Sequence, residues 1–302
     1  SLKHVEELGV KATLEQTNHF RVDGIIFGAP NGKEVRISLP EDEVENREAG
    51  YSLPRKQFDT LLFRNANEKV LETGGSVVQN FSVKEVHVED GAITGVSGIH
   101  DKNSYHFSAP LTIGAGGYNC PVARTVVAEF DEPMVDKKHY CGAYREYWTG
   151  VEGCEDWQGA IEIHFIDGVI PGYFWIFPVG NGVVNVGIGM VIAEMDKQKT
   201  KLRALQDWVI KEDPKFSKRF ANAKMVEKSP PVTLRLPITL PIEFTVSNKP
   251  QNVPNRPRKI NRPIVYLDSS RDSSNLEAIP SKSDRIEWVD RLILFFWLLN
   301  IV

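Results

Sequence analysis

Three stretches hold the residues whose chemistry could serve a ligand. The first is PGYFWIFPVGNGVVNVGIGM, Pro171 to Met190, in which Tyr173, Phe174, Trp175 and Phe177 crowd together before Pro178. Side chains of an extended strand alternate, so Tyr173, Trp175 and Phe177 point to one face and Phe174 and Ile176 to the other. One row can fill a core while the other lines a long apolar cleft. The plainer alternative is that both faces are core, as in many aromatic strands.

The second stretch, TIGAGGYNCPVAR from Thr112 to Arg124, sets glycines directly after an apolar run. Glycine lets backbone approach a phosphate or a ring, and the turn that follows offers free N–H groups. Asn119 stands where the dinucleotide fingerprint needs its third glycine. GNGVVN from Gly180 misses in the same way, and a tight turn is the plainer reading of both. The third stretch, YSLPRKQFDTLL, puts Arg55 after Pro54 at the start of a helix, where its charge opposes the N-terminal dipole. A cation so placed faces an anion or a packed ring, or is simply solvated.

Spacing offers no Ser/His/Asp set, no paired catalytic carboxylates and no phosphate loop. The 7 histidines show no metal-ligand pattern, and the 3 cysteines include no CxxC. That sparse, odd count fits a reducing compartment without a disulfide framework, and a cytoplasmic location is expected. The net charge of -4 gives no reason to expect nucleic acid as a partner. The opening SLKHVEELGV shows no signal-peptide pattern. The most apolar run, LILFFWLLNIV at the end, is shorter than the roughly 18–20 residues a spanning helix needs. It reads as a buried helix or a sticky end, with peripheral membrane contact left open.

The elements that must position these stretches alternate in type. Residues 17–39 read as a hairpin, because Asn31-Gly32 tolerates positive φ between two apolar runs. PEDEVENREAG reads as a solvated loop. From Leu53 to Gly75 the spacing predicts a helix with Phe58, Leu61, Leu62, Ala66 and Val70 on one face. SVVQNFSV, KEVHVE and AITGVSGI read as a strand and a hairpin, and YHFSAPLTI as a further strand ending at the glycine loop. Four strands between Tyr140 and Met190 predict an antiparallel sheet, which the strands of 17–40 are expected to join. KTKLRALQDWVIKED is amphipathic, with Leu202, Leu205 and Val209 on one face, and ends before Pro214. Residues 244–285 read as mostly unstructured.

In this order, the three stretches resemble motifs of the geranylgeranyl reductase family, flavoproteins related to p-hydroxybenzoate hydroxylase-type enzymes. The first is similar to its YxWxFP segment and trailing N-V-G-x-G, the third to its R-x-x-F-D, the second to its I-G-A-D-G-x-x-S-x-V-R. The resemblance covers roughly residues 5 to 237. It implies non-covalent FAD and the saturation of isolated double bonds in a polyprenyl chain on a prenylated small molecule or lipid, with NADPH or a ferredoxin as electron donor. It implies that Arg55 sits beside FAD and that Gly114, Ala115, Gly116, Gly117 and Arg124 form the loop passing near it. Tyr173, Trp175, Phe177 and Pro178 would line the channel for the chain, where rings give large apolar contact at little entropic cost.

The departures are specific. The family's Asp in the glycine loop is Gly116 here and its Ser is Cys120, a change that bears on flavin affinity. The family's opening strand with GxGxxG precedes the point where this chain starts. In place of its G-D-A-A-G segment near residue 260 stands VYLDSSRDSSNLEAIP. The expectation is therefore a fragment, or a damaged gene product, of an α/β fold: the remnant of an FAD-binding Rossmann-like domain with a β-meander, beside an antiparallel-sheet substrate domain. Residues 1–50 would give strands of the substrate sheet, 51–130 the partial FAD-binding domain, 131–237 the substrate domain and 238–302 an irregular tail. The alternatives are an FAD-dependent aromatic-ring monooxygenase and a non-catalytic remnant that binds an apolar ligand.

Overall fold

The structure, a computed structural model, describes residues 2–46, 50–129, 140–228 and 232–235. The expected tail of 238–302, with its apolar run, lies outside the described residues. The described chain divides into two compact units, one built from the segments up to Val77 and from Tyr140 onward, the other from Val78–Glu129.

The first unit begins with helices α1 (Leu2–Glu7) and α2 (Lys11–Glu15), then strands β1 (Phe20–Gly28) and β2 (Glu34–Ser38). The expected hairpin is present, with Gly28 opposite Glu34 and Gly32 at φ +80° in its turn. A short helix α3 (Glu41–Glu45) follows where a solvated loop was expected. Pro40 precedes it and Glu41, Asp42 and Glu43 fill its first turn, where negative charge suits the helix dipole. Val44 anchors it by burial.

After β3 (Tyr51–Ser52) comes α4 (Arg55–Glu72), as the spacing predicted. Phe58 and Leu61 are buried with Val5, Val10, Leu14, Tyr51 and Leu53 in one cluster, with Leu62 packed on it. Ala66, expected on that face, is exposed. The helix stops at Gly74, whose φ of +77° only glycine takes without strain.

From Tyr140 the first unit continues with β7 (Tyr140–Thr149), β8 (Gln158–His164), β9 (Gly172–Gly180) and β10 (Val183–Val191). Helices α6 (Ile192–Gln198), α7 (Leu202–Lys211) and α8 (Phe216–Arg219) follow, then strands β11 (Lys224–Lys228) and β12 (Val232–Arg235). The sheet has nine strands in the order β11-β7-β10-β9-β8-β1-β2, with β12 also on β7 and β3 on β1. The N-terminal strands join it as expected. The sheet is nevertheless mixed: β1 runs parallel to β8, with Ile25 beside Ile161 and Phe27 beside Ile163. A long crossover permits that direction, whereas a tight hairpin would have imposed the opposite one.

Helices α7 and α8 cover one face of the sheet. Leu202, Val209, Ile210, Phe216 and Phe220 pack against Phe174 and Ile176 of β9 and against Val184, Val186, Ile188 and Met190 of β10. Each such side chain, fully buried, is worth about 1.5–3 kcal/mol over leaving it in water. Helix α6 was not foreseen in the sequence.

The second unit holds the antiparallel meander β4 (Ser82–Glu89), β5 (Ala92–His100) and β6 (Asn103–Ser108) with α5 (Pro121–Glu129). Asp90-Gly91 and Asp101-Lys102 turn it, all four at positive φ as type I′ turns require. Two expectations fail here. Ser76–Phe81 precede the first strand and do not belong to it, and the last strand ends at Ser108 before Leu111–Ile113. Every residue of β6 is exposed, so no buried face extends it toward the glycine loop. The core is small: Ile93, Cys120 and Val122, backed by Val86, Val96, Ala123 and Val126.

Candidate functional site

The aromatic strand does split its side chains as the alternation requires. Phe174 and Ile176 join the helix-covered core, while Trp175 and Phe177 join a second cluster with Phe20, Val22, Ala143, Ile161 and Ile163. The members of this second cluster all stand on strands or, as Leu39 does, next to one, and no described helix contributes to it. Trp175 and Phe177 are 1 % and 0 % exposed. Tyr173 is half-buried and Pro178 is buried. Their rings form a ladder, Tyr173 to Trp175 at 5.8 Å and Trp175 to Phe177 at 6.2 Å between centroids.

The neighbouring strand explains why glycines accompany these rings. In β10 the even residues Val184, Val186, Ile188 and Met190 face the helices, which leaves Asn185, Gly187 and Gly189 on the aromatic face. Gly187 stands opposite Trp175, and a Cβ added there would lie 2.2 Å from Trp175 Cζ2. The indole therefore lies against bare backbone. Its N–H donates to Asn185 Oδ1 at 3.2 Å. On the far side of β10, Arg145 is opposite Gly187 and Tyr147 opposite Asn185, with the Arg145 guanidinium 5.7 Å from the Tyr147 ring centroid.

Arg55 is the first residue of α4. Its backbone N–H donates to Tyr147 Oη at 3.3 Å, which ties the start of the helix to β7. Its guanidinium donates to Asp59 one turn on, at 2.5 Å, with the side chain 32 % exposed. The cation at the helix start is thus compensated within its own helix, and Phe58 between them is buried.

The glycine loop belongs to the second unit. Gly114 is half-buried, and Ala115, Gly116 and Gly117 are exposed. A Cβ at Gly114 would come 2.8 Å from Ala123 N, so the loop hugs the start of α5. Gly117 takes φ +72° with open space around it, and Arg124 donates to Asn119 Oδ1 at 2.6 Å, bracing the loop. Cys120, at the family's Ser position, is buried beneath it, and a Cβ at Gly116 would sit 3.2 Å from Cys120 Cβ.

Spacing did not reveal a polar network in the first unit. Glu162 and His164 lie two apart on β8 and so share a face. Arg219 of α8 donates to both Glu162 oxygens at 2.7 and 2.8 Å, and His164 Nε2 is 2.8 Å from Oε2. Burial alone would raise the Glu162 carboxyl, but the His164 and Arg219 hydrogen bonds and the Arg219 charge outweigh it and hold it at about 2. Lys215 reaches His164 Nδ1 at 3.2 Å and also pairs with Glu34. A cavity with room for about 180 Å³ opens here, between Pro30, His164, Phe165 and Phe216, and Tyr173, Trp175 and Phe177 do not line it. Burial pushes the Cys141 and Cys154 thiols up to about 12, which makes them poor nucleophiles. Among the described residues no group of three or more His, Cys, Asp or Glu side chains could hold a metal ion. Among them, too, no helix is long and apolar enough to cross a membrane.

Solved structures share this architecture. A flavin-dependent brominase superposes with a TM-score of 0.58 at 14 % identity, over 78 % of this chain and 55 % of its own. A geranylgeranyl bacteriochlorophyll reductase-like protein from Thermoplasma acidophilum gives 0.58 at 21 % identity, over 74 % and 53 %. At such identities the likeness is one of fold alone, and a myxobacterial FAD-dependent halogenase shares that fold at 18 % identity. Residues 140–228 match the model of the geranylgeranyl reductase catalytic domain, the family whose motifs the sequence resembles. A digeranylgeranylglycerophospholipid reductase of Methanosarcina mazei is 29 % identical over 206 residues, 68 % of this chain and 46 % of that protein. Digeranylgeranylglycerophospholipid reductase 2 of Methanopyrus kandleri is 29 % identical over 237 residues, 77 % and 53 %. The chain spans about half the length of the curated relatives it matches.

Proposed function

We propose that this chain is the substrate half of an FAD-dependent reductase that saturates carbon–carbon double bonds in the polyprenyl chains of a lipid. The observation that supports this most is the Trp175 row, seated on the bare backbone of Gly187 within the segment that matches the reductase catalytic domain. A glycerophospholipid bearing geranylgeranyl chains is the substrate class that the named relatives point to.

In this reading 51–130 is the partial FAD-binding segment and 131–237 the substrate segment. The second unit's loop fits a flavin cofactor in part. Gly114, Ala115, Gly116 and Gly117 bring bare, largely exposed backbone to the start of α5, and Arg124 braces them. For the first unit the resemblance implies a cofactor role for Arg55, whose charge is shared with Asp59 at the head of α4. When bound in its reduced form, FAD would supply the hydride. Tyr173, half-buried, would meet the apolar chain, while the buried Trp175, Phe177 and Pro178 back it and exclude water. The proton that completes the addition would come from solvent or a donor, and the electrons from NADPH or a ferredoxin. The protein works in the cytoplasm, touching the membrane surface where its lipid resides.

The test is anaerobic incubation of the chain with reduced FAD and digeranylgeranylglycerophospholipid in micelles, read by mass spectrometry. A gain of one hydrogen molecule per double bond is expected. Unaltered lipid, under conditions where lipid and FAD both bind, contradicts the reading. The resemblance also implies that restoring its loop residues strengthens the cofactor site. Gly116→Asp with Cys120→Ser, the second change easing the 3.2 Å contact, is expected to tighten FAD binding. A charge-assisted hydrogen bond makes that about tenfold, measured by flavin fluorescence titration.

A further inference from the structure

Asn185 is 0 % exposed, in register between Tyr147 of β7 and Phe177 of β9. The indole N–H of Trp175 can only donate, so its bond fixes which end of the amide it meets: the oxygen. The other end, Nδ2, carries two N–H donors and has no hydrogen-bond partner among the described residues. Ser52 Oγ is in the same condition at 0 % exposure. Ser52 lies directly opposite Phe20, whose ring belongs to the Trp175 cluster. Native proteins leave few buried polar atoms unpaired, and each one asks for an explanation. Holding the indole needs only the Asn185 oxygen.

We propose that Asn185 Nδ2 is a ligand-reading donor of the Trp175 face, reserved for a carbonyl or hydroxyl oxygen on a molecule that lies against the indole. This rests on the reading above that the face receives a ligand. The acceptor chemistry is shared by two sources, a ring carbonyl of the flavin and an oxygen at the polar end of the prenyl lipid. Oδ1 keeps the amide from turning, so the donor is already aimed when the ligand arrives. A bare hydrocarbon offers it nothing, which makes it an element of specificity as well as of affinity.

A mutant cycle separates this duty from a structural one. Trp175→Phe removes the indole N–H, and adding Asn185→Leu then removes the amide without leaving a donor unpaired. FAD and geranylgeraniol are the probes, measured by equilibrium binding, with urea unfolding as the stability readout. Relative to Trp175→Phe alone, the double variant is expected to keep or gain stability and to lose about tenfold in affinity for one probe, the worth of one hydrogen bond. Loss confined to FAD assigns the acceptor to the flavin, and loss confined to geranylgeraniol assigns it to the lipid. Equal binding of both probes by the two variants overturns the proposal. Should the double variant not fold, Asn185→Asp keeps an oxygen for Trp175 and removes the donor. The same loss is expected, and unchanged binding is again fatal. Wild-type protein that binds neither probe would instead remove the reading of the face as a binding site.

Discussion

Gly187 shows how a residue with no side chain shapes this site. The Trp175 indole occupies the space a Cβ would need, 2.2 Å from Cζ2, so Gly187→Ala must displace the ring or the strand. Overpacking of this kind costs about 1–3 kcal/mol, to be read as a lower urea midpoint. Glu162 is the complementary case, a charge kept inside by its partners. Its folded value of about 2 lies below the ordinary 4.5, so its contribution is fully present above 4.5 and is lost as pH falls toward 2. That span corresponds to about 3 kcal/mol. Arg219→Met should remove much of it, destabilising the protein at neutral pH and flattening the acid limb of urea stability between those two values. Unchanged acid sensitivity would contradict the assignment. The facing of the aromatic residues was legible, because strand alternation has a fixed period. The Arg55–Asp59 pair was legible too, four apart on a helix, yet the sequence suggested an anion, a packed ring or solvent for the arginine without singling out Asp59. Asn185 was not legible as the partner of Trp175, since ten residues and a strand register separate them.

At the scale of elements, two faces of one sheet do different work. The helix-covered face is ordinary core: Phe216 of α8 stacks edge-on against Phe174 at 5.0 Å and against His164 at 4.8 Å. Phe216→Ala should cost about 3–5 kcal/mol in urea unfolding, and a cost under about 1 would mean that α8 does not seal this face. The opposite face is strand on strand, with the Tyr173, Trp175 and Phe177 ladder at its centre. Most strands and both long helices could be read from periodicity and turn residues. The parallel direction of β1 beside β8 could not, because a sequence names strands and not their partners. Helix α3 was hidden by its own charge: three acids at a helix start look like solvated loop unless the dipole is considered.

The whole molecule combines units of unequal strength. The first buries two clusters on either side of a nine-stranded sheet and a third among α1, α2, β3 and α4. The second rests on three buried residues and their half-buried neighbours. Local opening should therefore begin in the second unit. Hydrogen exchange is expected to run faster at β4–β6 than at β9 and β10, and uniform protection would contradict this. The glycine loop sits on that weaker unit, so a ligand that binds it should slow exchange there. The likeness to flavin-dependent folds was legible through three short motifs, while the division into units was not, because packing between distant segments decides it.

The central proposal is that this chain, which spans about half the length of the curated relatives it matches, binds FAD. The purified chain mixed with FAD and passed through gel filtration tests it most directly, by the visible flavin absorbance that elutes with the protein. We expect flavin to co-elute, and more of it with Gly116→Asp and Cys120→Ser. Colourless protein at every FAD concentration tried would contradict the account.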